Sequence, residues 1–250
     1  MLQQAPWPRP PALPALGSDD VHVFRAPLDA PPAAVGAHFE LLDAAERGRA
    51  ARYVFQKDRD HFVVARATLR TILGRYLRLD PARLAFDYGP YGKPSLADAQ
   101  NGQCLRFNVS HSRGLALYAV TLGREIGLDL EYMRDDVDLE SIADQFFSRR
   151  EAAALRALPA HERVQGFFNC WTRKEAYIKA RGEGLSHPLD QFDVALAPGE
   201  PAALLHTAAD GREAARWSLR ELSPGAGYAA AVAVEGRGLR LSCWQASHLK

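Results

Sequence analysis

The sequence predicts a mixed α+β fold. Short segments alternate apolar and polar residues, and a long segment in the first half repeats apolar residues at helical spacing. The second half runs through helices before ending in strands. With 250 residues, 47% of them hydrophobic, the chain can bury a full core as one large domain or two compact halves.

The chain opens with an arm, residues 1–19, that holds five prolines in its first fourteen positions. It lacks the basic and apolar regions of a secretory signal and reads as an extended, solvated or partly disordered segment. Val21–Arg25 alternates as a short strand, and a helical region begins near Pro31. Between Asp58 and Leu77, the residues Phe62, Ala65, Leu69, Ile72 and Tyr76 form one apolar stripe. Arg59, Arg66 and Arg70 lie among them, and Arg70 taken alone reads as part of a solvated basic face. Tyr88-Gly-Pro-Tyr-Gly-Lys-Pro94 is dense in turn formers and presents Lys93 on a constrained loop. Leu105–Ser110 and Ala116–Leu122 read as strands joined by a hairpin at His111-Ser-Arg-Gly114, and Ile126–Glu131 as a third strand. The turn at Gly123 divides the chain into residues 20–124 and 125–250.

In the second part a helix is expected over Leu139–Phe147. Ser148-Arg-Arg-Glu151 has capping-box spacing for another that stops near Leu158-Pro159. A third runs from about Glu162 to Ala180 and ends in Arg181-Gly-Glu-Gly-Leu185. Strands follow near Phe192–Leu196, Arg216–Leu222 and Tyr228–Val234. Both parts carry helix and strand segments of similar extent, which permits a duplication without demonstrating one.

Composition narrows the function. The 31 basic and 30 acidic side chains leave a net charge of +1, so the strongly basic footprint of a nucleic-acid binder is absent. The three cysteines, Cys104, Cys170 and Cys243, are widely spaced, which suits a reducing, cytoplasmic setting better than a disulfide framework. No apolar run approaches membrane-spanning length, and no membrane partner is expected.

Asp129-Leu-Glu131 places two carboxylates on one face of a strand. Like charges that close favour a hard, oxygen-loving cation between them, and magnesium combines such carboxylates with phosphate oxygens. Hydrated acids at a strand end are the duller alternative. Glu175 and Lys179 are one helical turn apart, which suits a metal ligand or base beside a phosphate clamp, or a surface ion pair. Ser110, His111 and Ser112 gather hydroxyl and imidazole groups at a turn, an arrangement suited to an anion such as a pyrophosphate. No G-x-S-x-G elbow, Walker-type loop or strand–G-x-G-x-x-G–helix unit occurs.

Taken in order, four motifs closely resemble the 4′-phosphopantetheinyl transferases. They are Phe107-Asn-Val-Ser-His-Ser112, Ile126-Gly-Leu-Asp-Leu-Glu131, Phe146-Phe-Ser-Arg-Arg-Glu151 and Trp171-Thr-Arg-Lys-Glu-Ala-Tyr-Ile-Lys-Ala180 with Gly184-Leu-Ser186. Tyr91-Gly-Lys-Pro94 and Gly227-Tyr-Ala-Ala-Ala-Val-Ala233 extend the resemblance to about residues 40–235. Within the family the chain looks like the larger, monomeric class that includes the surfactin-synthetase activator.

The resemblance implies two similar α+β halves related by a pseudo-twofold, with the active site in the cleft between them. It implies coenzyme A as donor, a serine of an apo acyl or peptidyl carrier protein as acceptor, and adenosine 3′,5′-bisphosphate as the released product. Mg2+, with Mn2+ as a substitute, is held by Asp129, Glu131 and Glu175. Lys179 lies near the transferred phosphate, Ser110 and His111 contact the coenzyme A phosphates, and Lys93 meets the nucleotide end. Glu175, Lys179 and His111 form the catalytic set. At the start of the early helix His61 stands where an arginine for the 3′-phosphate is often found, with Arg59 and Arg66 as alternatives. Arg149, Arg150 and Arg173 are candidates for an acidic carrier-protein face. Two other readings are a magnesium-dependent phosphohydrolase acting on coenzyme A-like pyrophosphates and a non-catalytic carrier-protein-binding module.

Overall fold

Residues 7–10, 15–184, 187–208 and 212–246 are described by the computed structural model. The first part contains β1 (Asp20–Pro27), α1 (Pro32–Phe39), α2 (Ala44–Ala50), α3 (Gln56–Leu77), β2 (Phe86–Tyr88), β3 (Pro94–Leu96), β4 (Leu105–Ser112) and β5 (Leu115–Leu122). The second contains β6 (Ile126–Tyr132), α4 (Leu139–Phe146), α5 (Arg149–Ala157), α6 (Arg163–Arg181), β7 (Phe192–Val194), β8 (Leu204–Thr207), α7 (Glu213–Arg216), β9 (Trp217–Leu222), β10 (Tyr228–Glu235) and β11 (Arg240–Gln245).

The period-two pattern of the strands builds the layers. On β5, Ala116, Tyr118 and Val120 pack with Leu69, Ile72 and Leu73 of α3, while Leu117 and Ala119 join Leu128 and Val232 in a core between two sheets. On β10, Ala230, Val232 and Val234 enter that same inter-sheet core. The alternate residues Ala229, Ala231 and Ala233 pack with Cys170 and Tyr177 of α6. Each sheet thus carries one long helix on its outer face. Burial on both faces explains why Tyr228–Val234 reads as a nearly continuous apolar run.

The first sheet has the order β11-β1-β5-β4 and the second β6-β10-β9. β11, the last strand, pairs in parallel with β1, so the end of the chain returns to the sheet that began it. β2, β3, β8 and β11 are strands that the sequence pattern does not reveal, since three of them have four residues or fewer. The predicted four-residue hairpin is tighter than expected. His111 and Ser112 remain paired in β4, and Arg113-Gly114 alone makes the turn.

Two expectations are corrected. Trp7, expected in a solvated arm, is buried and donates its indole N–H to the Ser223 carbonyl at 2.8 Å, while the Pro8 carbonyl accepts from the Gln245 amide. An aromatic ring of that size gains more from the inter-sheet core than residues 7–10 lose by ordering. Arg70, expected on a solvated face, is fully buried and donates to Glu46 and Asp43, each at 2.6 Å, and to the carbonyls of Pro81 and Leu84. A buried guanidinium is tolerated because its donors are satisfied.

α6 sits on β6 at Gly127. A Cβ at this position would overlap the Ala176 carbonyl oxygen and the Ala180 amide nitrogen. Gly127→Ala is therefore expected to force the helix off the strand and destabilise the chain by about 3 kcal/mol or more, read as a lower urea midpoint at unchanged secondary-structure content in the fold that remains.

The buried His22 imidazole lies 2.6 Å from the Tyr76 hydroxyl and edge-on to Trp244. Burial pushes its pKa down to about 4, against an ordinary value of 6.5. The folded chain keeps the ring neutral where the unfolded chain takes up a proton. Stability present above about pH 6.5 is expected to fall as the pH drops towards 4, by on the order of 3 kcal/mol from this group. Urea titrations across that window will show a shallower decline in His22→Gln; an equal decline would remove His22 as the cause.

Candidate functional site

Gly127 determines what α6 can offer. With the helix pressed on β6, Glu175 and Lys179 come beside Asp129 and Glu131, which point out of the same face of the strand. Lys179 Nζ lies 2.5 Å from Asp129 Oδ1 and 3.5 Å from Ser110 Oγ. The Ser110 hydroxyl also donates to Asp129 Oδ1 at 3.0 Å. The other oxygen, Asp129 Oδ2, is buried and has no hydrogen-bond partner among the described residues.

The charges are unbalanced. Burial and the neighbouring Asp129 push the pKa of Glu131 up, against the Ser112 hydrogen bond and Lys179. Burial and Asp129 do the same to Glu175, which Lys179 only partly offsets. For Lys179, burial opposes the charge, but Asp129, Glu175 and Glu131 outweigh it and hold the ammonium protonated. One cation therefore faces three carboxylates, and a buried acceptor is left over. This all-oxygen donor set has the chemistry of a hard divalent ion. Among the described residues, no three His, Cys, Asp or Glu side chains converge closely enough to hold a metal in this conformation. Asp129, Glu131 and Glu175 are gathered in one region, with Lys179 on Asp129 Oδ1.

The two halves are joined here by side chains in place of a main-chain ladder. β4 and β6 are edge strands of different sheets. Asn108 Oδ1 accepts from the Leu128 amide at 2.9 Å, Ser110 Oγ from Leu130 at 3.2 Å and Ser112 Oγ from Tyr132 at 3.1 Å. Alternation on β4 sends these three groups to one side, where they satisfy amides that an edge strand otherwise leaves open. Ser112 also donates to Glu131 Oε2 at 3.1 Å. Ser110, expected at the coenzyme A phosphates, is buried and serves this seam.

His111 points to the other side of β4. It lines a cavity of about 710 Å³ with His61, Lys57, Tyr53 and Arg113. Partial burial, with Lys179, His61 and Arg49 nearby, lowers its pKa below that of an ordinary imidazole. His61 shares a 2.8 Å hydrogen bond with Asp29 Oδ1. Of the three candidates for the 3′-phosphate, His61, Arg59 and Arg66, only His61 lines this cavity. Arg59 lies over the Phe39 ring, while Arg66 pairs with Glu46 and donates to the Tyr88 hydroxyl at 2.9 Å.

Lys93 donates to the carbonyls of Ile126 at 3.1 Å and Ala180 at 3.2 Å, and borders a smaller cavity of about 210 Å³ with Arg106 and Phe107. Burial lowers its pKa against the opposing pull of Glu125. Its ammonium thus ties the first half to the start of β6 and the end of α6. Leu185 and Ser186 of the fourth motif lie outside the described residues. Arg173, expected on an exposed docking face, is buried, donating to the Ala195 carbonyl at 2.6 Å and to Glu221 at 2.9 Å; Arg149 and Arg150 are exposed. Sequence reasoning missed Arg49, Lys57 and Arg113. No periodicity marks them, because they reach the cleft from α2, the first turn of α3 and the β4–β5 turn.

The seam can be tested directly. Asn108→Ala strands the buried Leu128 amide and is expected to cost about 1–3 kcal/mol in unfolding free energy, measured by urea denaturation.

The chain matches known proteins over most of its length. Residues 125–233 match the model of the 4′-phosphopantetheinyl transferase superfamily, and residues 32–122 match that of the 4′-phosphopantetheinyl transferase N-terminal region. The chain is 45% identical over 244 residues to the 4′-phosphopantetheinyl transferase HetI of Nostoc sp., covering 98% of this chain and 99% of that one. It is 33% identical over 156 residues to the 4′-phosphopantetheinyl transferase Sfp of Bacillus subtilis, covering 62% and 67% respectively.

Proposed function

The chain belongs to the 4′-phosphopantetheinyl transferase superfamily, and from that premise we propose how its cleft performs the transfer. The enzyme moves the 4′-phosphopantetheine group of coenzyme A to a serine of an apo carrier protein. The observation that carries the residue assignment is the meeting of Lys179 with Asp129, Glu131 and Glu175, with Asp129 Oδ2 left unpartnered.

The serine oxygen attacks the β-phosphorus of coenzyme A, forming a new phosphoester. The bond from that phosphorus to the bridging oxygen breaks, and adenosine 3′,5′-bisphosphate leaves with the bridging oxygen. The serine proton must be removed as the bond forms. Asp129, Glu131 and Glu175 are the residues that would hold Mg2+, which when bound neutralises diphosphate charge. Glu175 is the candidate base, because it lies one turn before Lys179 on α6 and within electrostatic reach of Asp129 and Glu131. Lys179, held protonated by its acidic neighbours, balances charge on the phosphates. His61, Lys57 and neutral His111 supply donors for phosphate in the wide cavity. An acidic carrier-protein face meets exposed basic residues such as Arg149 and Arg150.

Incubation with coenzyme A and Mg2+ is expected to add the phosphopantetheine mass to at least one of several apo carrier proteins; no adduct on any would defeat this reading. Glu175→Gln should lower turnover by roughly 10²–10⁴-fold at saturating Mg2+. Retained turnover would exclude Glu175 as a required base.

A further inference from the structure

One arginine stands between two cavities of the cleft. Arg113 and Ser112 line the wide cavity of about 710 Å³ that contains Lys57, His61 and His111. The same two residues also line a cavity of about 330 Å³ walled by Phe167, Trp171 and Ile142 and bordered by Glu131.

The backbone of Arg113 is unusual. It begins the two-residue turn between Ser112 and Leu115 with φ 41°, and Gly114 follows with φ 81°. A turn with both angles positive favours Asn-Gly, so an arginine here is held against its intrinsic preference. Two tyrosines of the other half hold it. The Arg113 carbonyl accepts from the Tyr228 hydroxyl at 3.0 Å, and its guanidinium carbon lies 4.7 Å from the Tyr132 ring centre. Tyr132 in turn meets Tyr228 edge-on, with ring centres 5.2 Å apart.

The guanidinium itself is unspent. It is exposed and, among the described residues, has no carboxylate or carbonyl partner, whereas the more buried Arg66, Arg70, Arg173 and Arg181 are each paired with a carboxylate. A guanidinium stacked on an aromatic face keeps its planar fork of donors pre-oriented, and that fork matches phosphate oxygens.

We propose that Arg113 binds the diphosphate of coenzyme A where the ligand crosses from one cavity to the other. The inference rests on coenzyme A being the donor. That molecule is charged through its phosphates and neutral along its pantetheine arm. The wide cavity carries Lys57, His61 and His111 with Asp58, and the narrower one has mostly apolar walls with Glu131 and Arg134 at its border. The diphosphate is where the charged part of the molecule gives way to the neutral part, and Arg113 is the charged residue common to both cavities that lacks a partner.

The test compares the wild type with Arg113→Asn and Arg113→Lys. Asparagine tolerates positive φ, so the turn survives while the guanidinium is lost. Calorimetric titration with coenzyme A and with dephospho-coenzyme A, with Mg2+ and without carrier protein, gives donor affinity; steady-state assays give the carrier-protein KM. Arg113→Asn is expected to weaken both donors by the same factor, roughly ten- to a hundredfold, at unchanged carrier-protein KM. Arg113→Lys should recover only part of it. Weakening of coenzyme A alone would move the contact to the 3′-phosphate and overturn the proposal. Unchanged donor affinity with a raised carrier-protein KM, or with only a lower melting temperature, would overturn it as well. If the wild type itself neither binds coenzyme A nor modifies a carrier protein, the donor assignment fails and takes this inference with it. Tight binding by wild type and Arg113→Asn alike defeats Arg113 alone.

Discussion

The seating of α6 against β6 at Gly127 is the contact on which the site depends. A side chain at residue 127 has no room between the strand and the carbonyl and amide of the helix backbone. This close approach brings Lys179 onto Asp129 and puts Glu175 within electrostatic reach of both strand acids. An outward shift of the helix by a methyl group's width would weaken each of those interactions together, because Coulomb energy and hydrogen bonding both fall steeply with distance. Chemistry and packing therefore share one contact.

The second constraint is the seam between the sheets. Asn108, Ser110 and Ser112 stand in for a neighbouring strand, accepting from the amides of Leu128, Leu130 and Tyr132. This side-chain ladder lets two edge strands meet without merging their sheets. It also leaves the outward side chains of the seam free to border a cleft, with His111 on one side and the acids on the other. Ser110 and Ser112 belong to both the seam and the site, since each also bonds an acid of β6.

Buried charge in this protein falls into two kinds. Arg70 with Glu46, and Lys174 with Glu151 at 2.7 Å, are paired and further satisfied by carbonyl oxygens. Such groups hold helices and loops in register and leave nothing for a ligand. The cluster around Lys179 differs in having excess negative charge and an orphaned oxygen, while Arg113, an exposed group, has an unused fork of donors. The unbalanced groups mark the cleft, and the balanced ones support it.

The sequence by itself determined the α+β class, most of the longer elements and the family. Periodicity located α3 and α6, and the Ser148–Glu151 capping box formed as its spacing implied. Asp129, Glu131, Glu175 and Lys179 were legible because strand and helix periods put each pair on one face. Only the tertiary structure decided which charges are free. Arg70, Arg173 and Lys174 look no different in sequence from Arg49, Lys57 and Arg113, yet the first three are buried and paired. A side chain's burial and partners depend on elements distant in the chain, here α2, β7 and β9, and local pattern carries no record of them. Around the triad of acids, the tertiary structure sets a lysine counter-charge, a serine seam and an arginine that lines both neighbouring cavities.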